Sequence, residues 1–156
     1  QLKSLNHISV LCSSLEDSID FYQNVLGFFP VPRQGSSSCE GAWLIGFGFG
    51  IHLMKVKEQE ALPKKTHINS QDRHISFQCD SMESVEKKLQ AMEIKYVRAT
   101  VEEDGCLVEQ LFFHDPYGFM IEVCNCENLP VVPLTNNTIG RKCRLGYEKN
   151  EVQESY

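Results

Sequence analysis

Four side chains that can bind a metal ion lie in apolar stretches of this chain. His7 and His74 each begin such a stretch, and His52 and Glu122 each lie within another. Imidazole nitrogens and a carboxylate oxygen form a ligand set suited to Zn²⁺, Ni²⁺, Mn²⁺, Co²⁺ or Fe²⁺. Because Glu122 stands between an isoleucine and a valine, its carboxylate needs a cation, a hydrogen-bond partner or water to offset its desolvation. The pattern predicts a metal site made from these four residues.

An internal repeat places the four residues at equivalent positions. The stretch LNHISVLCSSLEDSIDFYQNVLGF resembles RHISFQCDSMESVEKKLQAMEIKY, with His7 and His74 aligned at a separation of 67 residues. The hairpins that close the two copies align at a separation of 70 residues, which places His52 over Glu122. A repeat of this kind indicates one structural unit used twice. If the two sheets face one another, the four side chains can converge.

Each copy predicts a strand, a helix and three further strands. Alternating apolar residues give the first strand, and Ser13-x-x-Glu16 and Asp80-x-x-Glu83 resemble helix N-terminal capping boxes. The residues expected to pack beneath the two helices are Ile8, Val10 and Cys12, and Ile75, Phe77 and Cys79. Later strands are predicted at 28–32, 42–46 and 49–56, and at 96–100, 108–114 and 119–124. The fold class is therefore α+β, two βαβββ modules (about 5–56 and 73–126) in one domain, 1–134, with a flexible tail at 135–156.

Composition is that of an ordinary globular protein, with 42% hydrophobic and 23% charged residues in a chain of 156. A formal charge of −6 without a basic cluster argues against nucleic acid and anionic membranes as partners. No apolar run approaches the length of a membrane span. Cys12 and Cys79 lie in apolar strand patterns, which indicates reduced thiols and a cytoplasmic location. Cys124 and Cys126 could be a soft metal pair or part of the packing, and a removed targeting segment is left open.

The quoted residues carry a resemblance to a known family. The pattern HISVLxxSxxxSxxFYxxVLGF, together with HDPYGFMIEV near the end, resembles the vicinal oxygen chelate superfamily, above all the short plant proteins of the glyoxalase I, or lactoylglutathione lyase, type. The resemblance covers about residues 5–134. It implies cupped sheets around a divalent metal, with ligands from the first and last strands of the modules at His7, His52, His74 and Glu122. It also implies a homodimer.

Two departures from the family pattern bear on function. The family places a carboxylate where this chain has His52, so the resemblance leaves Glu122 as the catalytic residue that moves the substrate proton. The family holds glutathione with an Arg and an Asn at positions that are Leu11 and Val56 in this chain. The resemblance therefore implies weak or no dependence on glutathione and leaves its use as a co-substrate open.

These features favour a metal-assisted lyase or isomerase that acts on a small carbonyl compound. The residues that alternate with the ligands form a rather apolar wall, which suits an apolar substrate from plant detoxification or specialised metabolism. This predicted substrate-binding wall comprises Ser9, Leu11, Met54, Ser76, Gln78, Met120 and Cys124. Two alternatives stay open. One is a non-haem iron ring-cleaving dioxygenase that uses His7, His74 and Glu122, and the other is a protein that sequesters a small molecule without turnover.

Overall fold

A computed structural model describes residues 1–32, 40–57, 62, 65–103 and 105–129. Within these residues the contacts form two compact units, the first from the residues up to 67 together with 114–119 and the second from those in 68–113 together with 120–129. Within the described residues each unit holds a four-stranded sheet. The predicted α+β fold of two βαβββ modules is confirmed. The predicted tail at 135–156 lies outside the described residues.

The sheet of the first unit has the order β1-β4-β3-β2. Its elements are β1 (His7–Cys12), α1 (Leu15–Asn24), β2 (Phe29–Val31), β3 (Gly41–Gly46) and β4 (Phe49–Lys55). Strand β1 runs parallel to β4, and the other neighbours are antiparallel. The apolar positions of the alternating strands fill the core, where Cys12, Leu44, Ile51 and Leu53 are fully buried. The opposite face of β1 carries His7, Ser9 and Leu11, which are exposed.

The second unit repeats this arrangement in the order β5-β8-β7-β6. Its elements are β5 (His74–Gln78), α2 (Met82–Ala91), β6 (Tyr96–Glu103), β7 (Cys106–His114), β8 (Met120–Cys124) and a short 3-10 helix (Cys126–Asn128). Strand β5 is parallel to β8, as β1 is to β4. Every side chain of β8 is buried. The last strand therefore forms the centre of this unit.

The strand registers confirm the repeat. In the first unit Ser9 pairs with His52, and in the second Ser76 pairs with Glu122. Because Ser9 and Ser76 are 67 residues apart, and His52 and Glu122 are 70 apart, both separations read from the sequence reappear in the pairing. Paired residues project to the same face of a sheet, so His52 and Glu122 occupy equivalent places.

The helix starts differ from the prediction by one residue. The side chain of Ser14 accepts a hydrogen bond from the Asp17 backbone N–H at 3.2 Å, and that of Ser81 accepts one from Ser84 at 3.2 Å. Both serines have extended backbone angles, as an N-cap requires. The prediction that Ser13 and Asp80 cap the helices is therefore wrong.

The packing predicted for the two first strands holds more fully in the first copy. Val10 and Cys12 are buried and Ile8 is half-buried. Their counterparts in the second copy, Ile75, Phe77 and Cys79, are only half-buried. Cys79 Sγ lies 3.3 Å from the sulfur of Met82, the first residue of α2.

Two tight turns close the hairpins where the sequence predicts them. Phe47 and Gly48 join β3 to β4 with φ angles of 51° and 80°, a left-handed pair that matches the twist of a two-residue hairpin. Between β7 and β8 the Asp115 carboxylate accepts hydrogen bonds from the backbone N–H groups of Tyr117 at 2.9 Å and Phe119 at 2.8 Å. These two bonds close the turn through the Asp115 side chain.

The second of these turns, residues 114–119, belongs by its contacts to the first unit. The buried Tyr22 hydroxyl donates to Asp115 Oδ2 at 3.1 Å, and the Tyr117 hydroxyl accepts from the Ser14 N–H at 2.9 Å. Burial raises the pKa of Asp115 and that of Tyr22. The turn is thus tied to α1 by a buried hydrogen bond and to the residue before α1 by a partly buried one. No helix among the described residues is long and apolar enough to cross a membrane.

Candidate functional site

A buried carboxylate at the centre of the second sheet has a partner on each oxygen. Glu122 is 5% exposed. Its Oε2 lies 2.8 Å from His74 Nε2, and its Oε1 accepts a hydrogen bond from Gln110 Nε2 at 2.7 Å. Strands β5 and β7 flank β8 and supply these two partners. The carboxylate that the sequence required to have a partner is therefore held between an imidazole and an amide.

The orientation of His74 is set by the backbone just before its strand. Its Nδ1 lies 2.7 Å from the carbonyl oxygen of Asp72. A carbonyl oxygen only accepts, so Nδ1 carries the proton and donates it. Nε2 is then the ring nitrogen that faces Glu122. A backbone carbonyl on the far nitrogen is a common way to orient a metal-binding histidine.

The first unit holds an aromatic cluster at the equivalent place. His52 stacks on Trp43, its partner in the strand register, with ring centroids 4.2 Å apart and an interplanar angle of 7°. His7 meets the edge of Trp43 at 4.8 Å, and the two imidazole centroids are 6.1 Å apart. His7 Nδ1 lies 2.7 Å from Asn6 Oδ1. As at His74, the residues before the strand engage Nδ1 and leave Nε2 as the possible ligand atom.

The structure therefore brings the predicted ligands together in two pairs, one in each unit. His7 lies beside His52, and His74 lies beside Glu122. In each pair one member comes from the first strand of the module and the other from the last, as the repeat predicted. That all four bind one ion stays a prediction.

The residues predicted to bind substrate lie on the same faces as these pairs but differ in exposure. Ser9, Leu11, Ser76 and Gln78 are exposed, and Met54 is half-buried. Met120 and Cys124 are buried, at 1% and 4% exposure. Their role in substrate binding stays a prediction.

Sequence reasoning missed several residues that complete the site. Gln110 could have been found, because it is a polar residue in the apolar strand that pairs with the strand of Glu122. Trp43 could have been found in a similar way, because it lies on the strand that pairs with the strand of His52. Asp72 acts through its backbone carbonyl, which no side-chain pattern reveals. A disulfide between Cys124 and Cys126 was also missed, since the sequence suggested either metal binding or packing for these residues.

Comparison with protein families identifies the class. The model of the Glyoxalase/Bleomycin resistance protein/Dioxygenase superfamily matches residues 4–123. The chain therefore belongs to this superfamily, which confirms the resemblance read from the sequence. A protein named Glyoxylase I 4 from Arabidopsis thaliana is 63% identical over 142 residues, covering 91% of this chain and 81% of that protein. This likeness confirms the predicted class of enzyme, a lyase of the lactoylglutathione lyase type.

Solved structures share the fold at lower identity. A glyoxalase family protein from Bacillus anthracis has a TM-score of 0.62 at 20% identity, covering 80% of this chain and 95% of its own. A mutant of the fosfomycin resistance protein FosX from Listeria monocytogenes, in complex with Mn(II) and a dihydroxypropylphosphonic acid, has a TM-score of 0.60 at 18% identity, covering 80% of this chain and 94% of its own. These likenesses establish the fold.

Proposed function

We propose that this chain is a glyoxalase I-like, metal-dependent lyase or isomerase that moves a proton on a small carbonyl compound, with weak or no dependence on glutathione. The observation that carries the proposal is the buried Glu122 carboxylate, held 2.8 Å from the His74 imidazole and 2.7 Å from the Gln110 amide. A carboxylate held in place away from water is suited to proton transfer next to a carbonyl. A homodimer, and a role in plant detoxification or specialised metabolism, are parts of the proposal that come from the family resemblance alone.

The donor set fits a divalent metal. His7 and His74 both engage Nδ1 within the chain and present Nε2, and Glu122 adds a hard oxygen. His52 is the fourth proposed ligand. A divalent metal held by these residues would supply positive charge that stabilises the negative charge developing on a substrate oxygen. The Mn(II) in the FosX complex supports a metal of this class without fixing which one.

Glu122 is the residue that takes and returns the proton. Gln110 holds Oε1 by its amide and His74 Nε2 lies against Oε2, so the carboxylate is fixed in one orientation for the transfer. When Glu122 accepts a proton from the carbon next to a carbonyl and delivers it to the neighbouring carbon, the substrate is isomerised and the carboxylate is restored. A positioned general base typically contributes about 10²–10⁴ in rate.

The missing glutathione clamp supports weak dependence on that co-substrate. Leu11 is 47% exposed and apolar where the family resemblance implies an Arg, and Val56 stands where it implies an Asn. A hydrogen bond to a charged group is worth roughly 1.5–3 kcal/mol, which corresponds to about tenfold or more in affinity. Lys55 does not replace the lost Arg, because it binds Glu40 at 3.0 Å and pairs with Cys12 on the face opposite His52.

The test is turnover of methylglyoxal, with and without glutathione, by the metal-loaded protein and two variants. Glu122→Gln should lower kcat about 100-fold or more because the amide cannot accept the proton. Glu102→Gln makes the same change at an exposed position of β6 and should leave kcat unchanged. Undiminished activity of Glu122→Gln would contradict the assigned role. Turnover that needs glutathione would contradict the weak dependence, and binding of an apolar carbonyl without turnover would favour a sequestering protein.

A further inference from the structure

Glu122 also belongs to a second group of side chains whose types can bind a metal ion. One ligand atom each from Glu122, Cys124 and Cys126 lies within 4.8 Å of the others. The two cysteines form a disulfide, with Cα atoms 5.4 Å apart. Cys124 is buried, and its sulfur lies 3.6 Å from the Ser76 hydroxyl. The proton transfer proposed above uses Glu122 but neither cysteine.

The backbone fixes this cluster in place. Glu122 and Cys124 lie two residues apart on β8 and so project to the same face. Asn125 follows the strand; its side chain accepts from the Glu109 N–H at 2.8 Å and its own N–H donates to the Glu109 carbonyl at 3.3 Å. One residue beyond Cys126, the Glu127 N–H donates to Gln78 Oε1 at 3.1 Å. These bonds to β7 and β5 fix the position of Cys126 near the Glu122 carboxylate.

The oxidation state of the cysteine pair decides which ligands are available. A disulfide sulfur is a poor metal ligand, whereas a thiolate is a strong one. Two equivalents of a small-molecule thiol reduce the disulfide: the two cysteines gain two electrons and two protons, and the small thiols are released as their own disulfide. In the dithiol form a divalent metal would replace the two thiol protons and bind two sulfurs and one carboxylate oxygen.

We propose that Cys124, Cys126 and Glu122 form a thiol-dependent binding site for a divalent metal of the zinc class. Two thiolates and a harder ligand are a donor set that Zn²⁺ and Co²⁺ accept in tetrahedral sites. The site is available in the dithiol form and closed in the disulfide form. It does not depend on the proposed lyase activity, although both use the same carboxylate.

The test is titration of the full chain with Co²⁺, after reduction with a phosphine and, separately, in the disulfide form. The reduced protein should show the near-ultraviolet charge-transfer absorption of Co²⁺–thiolate bonds, and the oxidised protein should not. Cys126→Ser should abolish the band or weaken binding at least about tenfold. Cys106→Ser removes a free, half-buried cysteine of the same unit outside the cluster and should leave the band unchanged. Co²⁺ bound only by histidine and carboxylate gives no such band, so failure of this proposal and failure of the proposed function are distinguishable.

A measurement on the wild-type chain covers the case in which a cysteine variant does not fold. Zn²⁺ should slow alkylation of Cys124 and Cys126 in the reduced protein, as followed by mass spectrometry of the peptides, and should not slow alkylation of Cys106. Equal rates with and without Zn²⁺ would overturn the proposal, as would a reduced protein without the charge-transfer band.

Discussion

At the scale of single residues, each ligand candidate is oriented by a neighbour that does not itself bind metal. Gln110 holds Glu122, the Asp72 carbonyl holds His74, and Trp43 stacks on His52. Such partners reduce the number of orientations that a ligand samples, and they usually affect metal affinity and activity when they are lost. The ligand candidates themselves could be predicted from the sequence because their types and repeat positions are visible there. Their partners could not all be predicted. Any residue can supply a backbone carbonyl such as that of Asp72, so the residue type gives no signal.

Gln110→Met tests the hydrogen bond on which the carboxylate depends. The substitution keeps the size of the side chain and removes the donor, leaving Oε1 of the buried Glu122 without its partner. We expect a loss of about 1–3 kcal/mol in the free energy of unfolding, the usual cost of an unsatisfied buried group. Urea denaturation measures it. Gln23→Met on the exposed side of α1 is the control and should change stability by less than about 0.5 kcal/mol. Equal losses in the two variants would contradict the importance of this hydrogen bond.

At the scale of elements, the strands were easier to predict than the helix starts. A strand pattern repeats every two residues, and the buried side chains of β1 and β4 follow that period. A capping box depends on which of several adjacent residues adopts extended backbone angles. Ser13 and Ser14 both have the right side chain, and only the fold selects the second. The edge strand β2 is shorter than the predicted 28–32, because only Phe29–Val31 pairs with β3.

Ser14→Ala tests which serine caps α1. The alanine cannot accept the hydrogen bond from the Asp17 N–H, and we expect the chain to lose about 0.5–2 kcal/mol of stability. Ser13→Ala, at the neighbouring exposed position, should be close to neutral. The two variants are compared by chemical denaturation under the same conditions. A larger effect for Ser13→Ala would show that the helix begins where the sequence pattern placed it.

At the scale of the whole molecule, the buried Asp115 gives stability a pH dependence of known sign. Burial is the main cause that raises the pKa of this carboxyl above its ordinary value of 3.8. As pH rises through 3.8, the unfolded chain ionises at this residue before the folded chain does, so unfolding becomes more favourable. The contribution of Asp115 to stability is therefore greatest at low pH and is lost as pH rises through the folded pKa.

Asp115→Asn isolates this contribution, since the amide does not titrate. The difference in unfolding free energy between the wild type and this variant should change in favour of the variant as pH rises from about 3.5 towards 7. Urea denaturation of both proteins across this range measures the difference, and every group common to both cancels from it. A difference that is constant, or that changes in favour of the wild type as pH rises, would contradict a raised pKa for Asp115.

The turn at residues 114–119 also sets an order of events during biosynthesis. Tyr22 lies in α1, and its hydroxyl is paired with Asp115, which is made 93 residues later. Until then this hydroxyl must stay in water or lack its native partner in a partly formed core. Since Tyr117 also bonds to the start of that helix, the first unit reaches its native contacts only when most of the second has been translated. The two copies of the repeat follow one another in the sequence, but the first copy does not finish folding before most of the second is translated.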